Sequence, residues 1–451
     1  MLGPDPIAPS QRLNLAPFSQ SSMYGVVLAA GRGTRMRPLT DRRPKPLLPV
    51  GDRSLLAGVL DACLPVVDEF VIVTGYRGAA IEDAIGDSYA GAPVNYVEQA
   101  DPAGTAHAVL QAKEIVDDDF LVVNGDVVIE ESLPRSLAEA DGTAIAVTEV
   151  EDPRSYGVVS LADDGGATDD AAPDDAATHE STGAEHPTLE TIVEKPADPP
   201  TNLANVGCYA FEADAFDALE ATGESERGEF ELTETLEILL DRGTEISVVE
   251  YDGRWLDVGR PWELLEATEA VLEDLSDRID ATDGVDPRAG DVADDATLDG
   301  AVLVEKGARV RSGVTIEGPA IVRSDAEVGP NAYVRGSTVI GPDVRIGHAV
   351  EVKNSVVMDD AAIGHLSYVG DSVIDREVNF GAGTVVANLR HDDATVRMTV
   401  KGERVDTGRR KLGVVLGEGV KTGIDTNLNA GVVLGVEETT DPGETVTRDR
   451  R

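Results

Sequence analysis

The chain is poor in cysteine, in aromatic residues and above all in positive charge. Its two cysteines, Cys63 and Cys208, stand among apolar residues without metal-ligand spacing. That excludes a disulfide framework and a cysteine-based metal centre, and predicts buried thiols in a reducing, cytoplasmic setting. No run of 18 apolar residues occurs, and the N-terminus has no apolar h-region. The sequence therefore predicts neither a membrane-spanning helix nor a secretory leader. Lys and Arg number 38 against 84 Asp and Glu, a formal net charge of −46. Such a field repels phosphate backbones and anionic lipid, so nucleic acid and membrane are excluded as partners. Hydrophobic residues still make up 41% of the chain, enough for packed cores. The acidity is then the solvated shell of a halophilic protein, destabilised by unscreened self-repulsion at low salt.

At 451 residues the chain has room for two domains. Residues 1–22 are polar and Pro/Ser/Gln-rich, a disordered tail or an over-called start ahead of Met23. From 23 to 275, β-rich runs (26–28, 70–74, 94–97, 120–123, 144–147) alternate with helical stretches (54–64, 105–116, 262–275). That alternation predicts a mostly parallel α/β sheet with ligands at the carboxyl ends of its strands. Residues 163–187 are acidic and apolar-poor, a solvated insertion, and 276–296 is a second acidic stretch that serves as a linker.

Beyond the linker the pattern becomes periodic. Leu298, Val304, Val310, Ile316, Val322, Val328, Val334, Ile340, Ile346 and Val352 are spaced six apart. With about a quarter of residues aliphatic, chance produces such a run roughly once in a million per phase. After a phase slip near Met358 the ladder resumes through Ile363, Val369, Ile374, Phe380 and Val386. A six-residue aliphatic period with small residues beside it predicts a hexapeptide β-helix over 297–440, each coil burying its neighbour's ladder. The charged stretch 388–412 reads as a loop thrown out of the coil, and 441–451 as a tail.

The chemistry begins at YGVVLAAGRGTRMRPLTDRRPKPLLPVG, Tyr24 to Gly51. An apolar strand runs into a loop with Gly31 and Gly33, where backbone N–H groups can approach phosphate oxygens, and Arg35 and Lys45 add positive charge. A bare G-x-G is as often a tight strand-to-helix turn; the cations and the Pro-Lys-Pro clamp tip this one towards a phosphorylated ligand. Asp126 in Asn124-Gly125-Asp126 and Asp257 in WLDVG each follow a predicted strand. Alone, either is as well explained as a turn residue or helix cap. Together with the Gly loop they suit Mg²⁺, a hard cation held by one or two acids plus phosphate oxygens. His107 in GTAHA is read as structural.

As a set, this loop, NGD, Tyr156-Gly157, Glu194-Lys195-Pro196, Asn205-Val206-Gly207 and WLDVG resemble the sugar-1-phosphate nucleotidylyltransferase family across 24–270. The resemblance implies attack of a sugar 1-phosphate on the α-phosphate of UTP or dTTP, with release of pyrophosphate. It implies Leu28, Ala30, Gly31, Gly33, Gln99, Gly104 and Thr105 at the nucleotide, Arg35 at the β/γ-phosphates and Lys45 at the sugar phosphate. Asp126 and Asp257 would hold Mg²⁺, and Gly157, Glu194 and Asn205 the sugar.

In the periodic half, His365 stands in GHLSYVGD, with Arg335, Lys353, Tyr368, Asn379 and Asn388 around it. An isolated histidine on a solenoid is ordinarily a surface residue. Arg335 and Lys353, however, are 18 residues apart, one coil, and stacked cations repel unless an anion lies between them, which suggests a phosphate site. VEVKNSVV, GHLSYVGD and NFGAGTVVANL resemble the acetyltransferase half of the bifunctional glucosamine-1-phosphate acetyltransferase/uridylyltransferase family. That resemblance implies acetyl transfer from acetyl-CoA to the amine of glucosamine 1-phosphate, with His365 as general base. Arg335 and Lys353 would grip the phosphate, Tyr368, Asn379 and Asn388 the sugar, and Ala382 would lie near the coenzyme. It also implies a site formed between subunits of a homotrimer built through the β-helix.

The expected architecture is thus an α/β Rossmann-like nucleotidyltransferase domain followed by a left-handed parallel β-helix. The expected function is bifunctional synthesis of UDP-N-acetylglucosamine from small-molecule substrates. The alternatives are a glucose-1-phosphate thymidylyl- or uridylyltransferase, or a mannose-1-phosphate guanylyltransferase, whose β-helix only assembles the oligomer. A regulatory subunit without catalysis is disfavoured by intact Arg35, Lys45, Asp126 and Asp257.

Overall fold

The computed structural model describes residues 23–162, 186–225, 227–281 and 286–450; the predicted tail 1–22 and nearly all of the acidic insertion lie outside them. The chain divides into two compact units. Of the described residues, one unit comprises 23–31 and 56–255, the other 32–55 and 256–450. No helix among the described residues is long and apolar enough to cross a membrane.

The first unit is built on a ten-stranded mixed sheet. Tyr24–Leu28 lies between Glu69–Thr74 and Phe120–Asn124, parallel to both, and Ala92–Glu98 continues the parallel set. Val26, Val27, Val71, Ile72, Val122 and Val123 are at most 1% exposed, so continuous β-branched runs form these strands because both faces are covered. Leu203–Phe211 runs antiparallel to Phe120–Asn124 and carries the sheet on to Gly157–Leu161 and Leu189–Glu194. The helix predicted over 105–116 is regular only over Thr105–Leu110 and then relaxes into turns. Cys63 and Cys208 are buried, and burial pushes the Cys63 thiol up to about 12 and the Cys208 thiol higher still, so neither is a nucleophile at neutral pH.

The second unit contains the left-handed β-helix, its three faces being parallel sheets of six, eight and seven strands. The aliphatic ladder fills the prism: Val304, Ile316, Val328, Ile340, Val352, Ile363, Ile374, Phe380 and Val386 are at most 2% exposed in one contiguous core. Early coils step by 18, as in Glu327↔Arg345, and the middle ones by 17, as in Arg345↔Ala362 and Tyr368↔Val385. The missing residue is lost at one corner, between Val352 and Val357 and again between Val369 and Ile374. Asn354 and Asp371, with φ of 45° and 52°, turn the shortened chain there. The phase slip lies at this corner, just before Met358.

Three segments differ from expectation. Residues 276–281, read as linker, continue the helix Leu275–Ala281, and coil pairing is under way by Asp291–Val292. The supposed tail 441–451 carries Thr445–Val446, which pairs with Asn427–Leu428 as a further coil. The loop expected at 388–412 contains an antiparallel hairpin, Arg397–Val400 with Glu403–Asp406. Its two-residue turn is Lys401-Gly402, both at positive φ, the twist that suits a tight hairpin. Val396 and Met398 are at most 1% exposed, so this excursion is packed.

The β-helix unit also includes 32–55 and the helix Pro261–Glu273. Arg43 pairs with Asp359 at 3.2 Å, Arg42 with Glu418 at 3.1 Å and Glu437 at 2.9 Å, and Arg376 with Glu418 at 2.6 Å. The cation-rich loop of the sequence is therefore fastened to the coils by Arg42 and Arg43.

Candidate active sites

Apart from Gly33, the expected nucleotide residues belong to the first unit. Leu28 pairs with Asn124 across the sheet, and its carbonyl accepts the Gly125 N–H at 2.9 Å. The turn that presents Asp126 is thereby fixed beside the end of the first strand. Ala30 is almost buried, its carbonyl accepting from Tyr76 N at 3.3 Å, while nothing lies near the exposed Gly31. Gln99 is 5% exposed and its Nε2 donates to the Gly104 carbonyl and contacts His107 Nδ1, both at 3.0 Å. With both amide hydrogens so used, the Gln99 carbonyl oxygen is left as an acceptor. His107 also meets Gln111 Nε2 at 3.3 Å, so this histidine orients Gln99, the structural role expected of it. Gly104 sits at φ +127° against the backbone of Phe230, where a side chain would collide. Thr105 Oγ1 accepts from Leu232 N at 3.1 Å.

Gly157, Glu194 and Asn205 converge. A Cβ on Gly157 would lie 3.2 Å from Glu194 Oε2 and 3.5 Å from Asn205 Cβ. Glu194 Oε1 accepts from Lys195 Nζ at 2.7 Å and Arg227 Nη1 at 3.0 Å, leaving Oε2 over the glycine. Asn205 spends its amide on its own strand, accepting from Gly207 N at 2.9 Å and donating to Tyr209 Oη at 2.7 Å. These bonds hold the irregularity between Asn205 and Tyr209 that opens the sheet at this point.

In the second unit, Gly33 adopts φ +56° and Lys45 packs over it, so a Cβ there would lie 2.9 Å from Lys45 Cβ. Lys45 is 6% exposed, with Nζ 3.8 Å from Asp257 Oδ1. The Arg35 guanidinium lies over Gly259, 3.2 Å from where its Cβ would be. Glu263, which the sequence reading passed over, accepts from Gly259 N at 2.7 Å, and burial raises its carboxyl above the usual range with Asp257 adding repulsion. Arg35, Lys45, Asp257 and Glu263 thus surround the start of the helix Pro261–Glu273. Among the described residues no three acidic, histidine or cysteine side chains form a metal cluster.

On the β-helix, Arg335 and Lys353 stack in adjacent coils as expected. Contrary to expectation, they need no outside anion to offset their repulsion, because the chain supplies its own carboxylates. Arg335 donates to Glu351 Oε1 at 2.7 and 3.0 Å, and Lys353 Nζ to both oxygens of Asp371 at 3.0 and 2.9 Å. Asn388 donates to Asp371 Oδ2 at 2.5 Å and to Tyr368 Oη at 3.1 Å. Lys353, Tyr368 and Asn388 therefore belong to one network around a carboxylate that is 2% exposed, and burial raises the Tyr368 phenol.

His365 occupies the preceding corner and is exposed. The backbone N–H of His348 donates to its Nδ1 at 3.1 Å, so the proton of the neutral ring sits on Nε2. The ring must release this bond before Nδ1 can take a proton. Ala382 lies one coil on, where Gly383 N donates to the His365 carbonyl at 2.8 Å. Asn379 is not brought to this group within one chain: it pairs with Ala362 on the six-stranded face, whereas Lys353 and Tyr368 are on the eight-stranded one.

The sequence pattern of the nucleotidyl transferase family matches residues 24–274, and that of a GMPPB C-terminal domain matches 316–443. A bifunctional protein GlmU from Methanocaldococcus jannaschii is 37% identical over 414 residues, 92% of each chain. A bifunctional sugar-1-phosphate nucleotidylyltransferase/acetyltransferase from Sulfurisphaera tokodaii is 35% identical over 95% of this chain and 98% of its own. A low-salt glycan biosynthesis nucleotidyltransferase, Agl11, from Haloferax volcanii is 36% identical over 80% of this chain and 94% of its own. The matched residues span the α/β unit and the β-helix alike, and the chain belongs to the nucleotidyl transferase family, in the two-part form of the archaeal bifunctional GlmU proteins.

Proposed function

We propose that the chain makes UDP-N-acetylglucosamine in two steps. On the β-helix, the amine of glucosamine 1-phosphate attacks the thioester carbonyl of acetyl-CoA. An N–C bond forms, the C–S bond breaks, the amine's proton passes to His365 and from there to the departing thiolate, and the coenzyme leaves as its thiol. At the α/β site, a phosphate oxygen of N-acetylglucosamine 1-phosphate attacks the α-phosphorus of UTP and pyrophosphate departs. Catalysis there is positioning and charge neutralisation, supplied by Arg35 at the β/γ-phosphates and Lys45 at the sugar phosphate. Asp126 and Asp257 would hold Mg²⁺, which would neutralise phosphate charge when bound. The free Gln99 oxygen suits a base with an imide N–H, which uracil and thymine share and cytosine lacks. Leu28, Ala30, Gly31 and Gly33 would shape the phosphate and ribose side, and Gly157, Glu194 and Asn205 the sugar side.

The observation that carries the acetyl-transfer step is the polar network of Lys353, Tyr368, Asn388 and Asp371, with Arg335 stacked beside it, next to an exposed histidine. A β-helix that served only to hold subunits together needs none of these. The position of Asn379 on another face is what a site shared between subunits of a homotrimer requires, with Ala382 beside the incoming coenzyme. A cytoplasmic, halophilic setting accords with the net charge of −46.

A second reading, a nucleotidyltransferase with a structural β-helix, is favoured by the resemblance to Agl11. The test is an activity panel in molar KCl. UTP, dTTP and GTP are offered against glucosamine, N-acetylglucosamine and glucose 1-phosphates, with and without acetyl-CoA. Acetyl-CoA consumption with glucosamine 1-phosphate alone among the sugars supports the bifunctional reading; pyrophosphate release without any acetyl transfer supports the other.

A further inference from the structure

The helix Pro261–Glu273 follows directly on the strand Trp255–Asp257. Its first turn holds Glu263 against Gly259, close to Asp257 and Arg35. Six residues further, about 9 Å along the axis, Glu269 reaches the β-helix. There Glu269 Oε1 accepts from Asn354 Nδ2 at 2.7 Å, and the same nitrogen donates to Asp371 Oδ1 at 3.0 Å. One amide group thus spans two carboxylates, which fixes both its hydrogens and its orientation. Glu269 is also held by Arg409, at 3.1 and 2.5 Å.

The far end of this connection is Asp371. Its Oδ1 accepts from Lys353 and Asn354, and its Oδ2 from Lys353 and Asn388. These donors hold both oxygens of a deeply buried carboxylate, so its position and that of the Lys353 ammonium are set together. Asn354 stands at the corner shortened to a 17-residue step, with a left-handed φ of 45°. The shortened corner therefore places its amide between the helix and Asp371.

From this arrangement we infer that Glu269 is a positioning residue for acetyl transfer. Acting through Asn354 and Asp371, it sets where Lys353 meets the sugar phosphate. A helix whose first turn belongs to the nucleotidyl-transfer residues thereby braces the other site. The inference rests on the bifunctional reading. Glu269 touches no substrate in that reading, so its loss acts on the binding of the amino-sugar phosphate more than on the chemical step.

The experiment uses the full-length protein in molar KCl and measures both activities. Glu269→Ala is expected to raise KM for glucosamine 1-phosphate about tenfold, the scale of one charge-assisted hydrogen bond. Its kcat is expected to stay within about threefold of wild type, and pyrophosphate release with N-acetylglucosamine 1-phosphate to be unchanged. Glu269→Gln keeps an oxygen for Asn354 and is expected to restore most of the lost KM. Arg409→Gln removes the ion pair but not the Asn354 bond, and its KM is expected near wild type. A wild-type KM in Glu269→Ala overturns the inference, as does an equal rise in Glu269→Gln or Arg409→Gln, or a parallel loss of both activities. Those outcomes leave the bifunctional reading standing, whereas absence of acetyl transfer in the wild-type protein removes both.

Discussion

Lys353 Nζ lies 2.9 and 3.0 Å from the two carboxylate oxygens of Asp371, which is 2% exposed at a corner of the β-helix. A pair this buried stabilises little by itself, because desolvation offsets its attraction, but removing one partner strands the other. Asp371→Ala is expected to cost about 3–5 kcal/mol of stability and to abolish acetyl transfer. In the double variant Lys353→Met, Asp371→Leu most of the stability should return while acetyl transfer stays absent. Urea melts with paired acetyl-CoA assays check this; activity recovering with stability would show that the pair only holds the fold.

His365 is exposed, and its Nδ1 accepts a backbone N–H. His365→Ala should lower acetyl transfer by about 10²-fold or more and leave pyrophosphate release intact. Thiol release from acetyl-CoA is the measurement, and persistence of the wild-type rate would refute the assignment of the base.

Asp126 stands in a turn fixed by the Gly125–Leu28 bond. Asp126→Ala should lower nucleotidyl transfer by about 10²- to 10³-fold without affecting acetyl transfer, and chelation with EDTA should have the same selectivity. If EDTA stopped acetyl transfer as well, a divalent cation would have to act at both sites.

Asp375 is 3% exposed, and burial raises its carboxyl to about 6 despite the opposing pull of Arg43. Its protonated form is favoured in the folded chain. Stability therefore falls as pH rises from about 4 through about 6, and the loss persists above that window. Asp375→Asn keeps an acceptor for Arg376 N and should be more stable than wild type at pH 8, by at most about 3 kcal/mol. At pH 4 it should show no gain. Thermal melts at both pH values decide it, and an equal difference at each would place the effect elsewhere.

Net charge predicts a salt requirement. Melting temperature should rise between low and molar KCl as repulsion among acidic residues is screened. Equal melting temperatures would remove the halophilic interpretation.

The six-residue ladder was legible because burial of every sixth aliphatic is itself the fold's organising interaction, and Val304 through Val352 occupy the core as read. The strands around Leu28 and Val122 were legible for the same reason. The hairpin 397–406 was not: its charges suggested a loop, although Met398 and Val400 alternate with Arg397 and Thr399 around a Lys-Gly turn. Asp371 and Glu269 were missed because their role depends on partners 17 and 85 residues away, brought together by the shortened coil step. Asn379 lies two rungs of the ladder beyond Tyr368, at Phe380 rather than Val369, and so falls on a different face of the three-sided coil. Lys45 was legible as a cation in the Gly-loop segment, but its burial against Asp257 was not.

The central claim is that two reactions are joined in one chain. It is tested most directly by supplying glucosamine 1-phosphate, UTP, Mg²⁺ and acetyl-CoA in molar KCl and following thiol release, pyrophosphate and the nucleotide sugar together. UDP-N-acetylglucosamine should form only with acetyl-CoA present, fail to form with His365→Ala, and return when that variant is given N-acetylglucosamine 1-phosphate. Nucleotide sugar appearing at the same rate without acetyl-CoA, with no thiol released when it is present, would contradict the account.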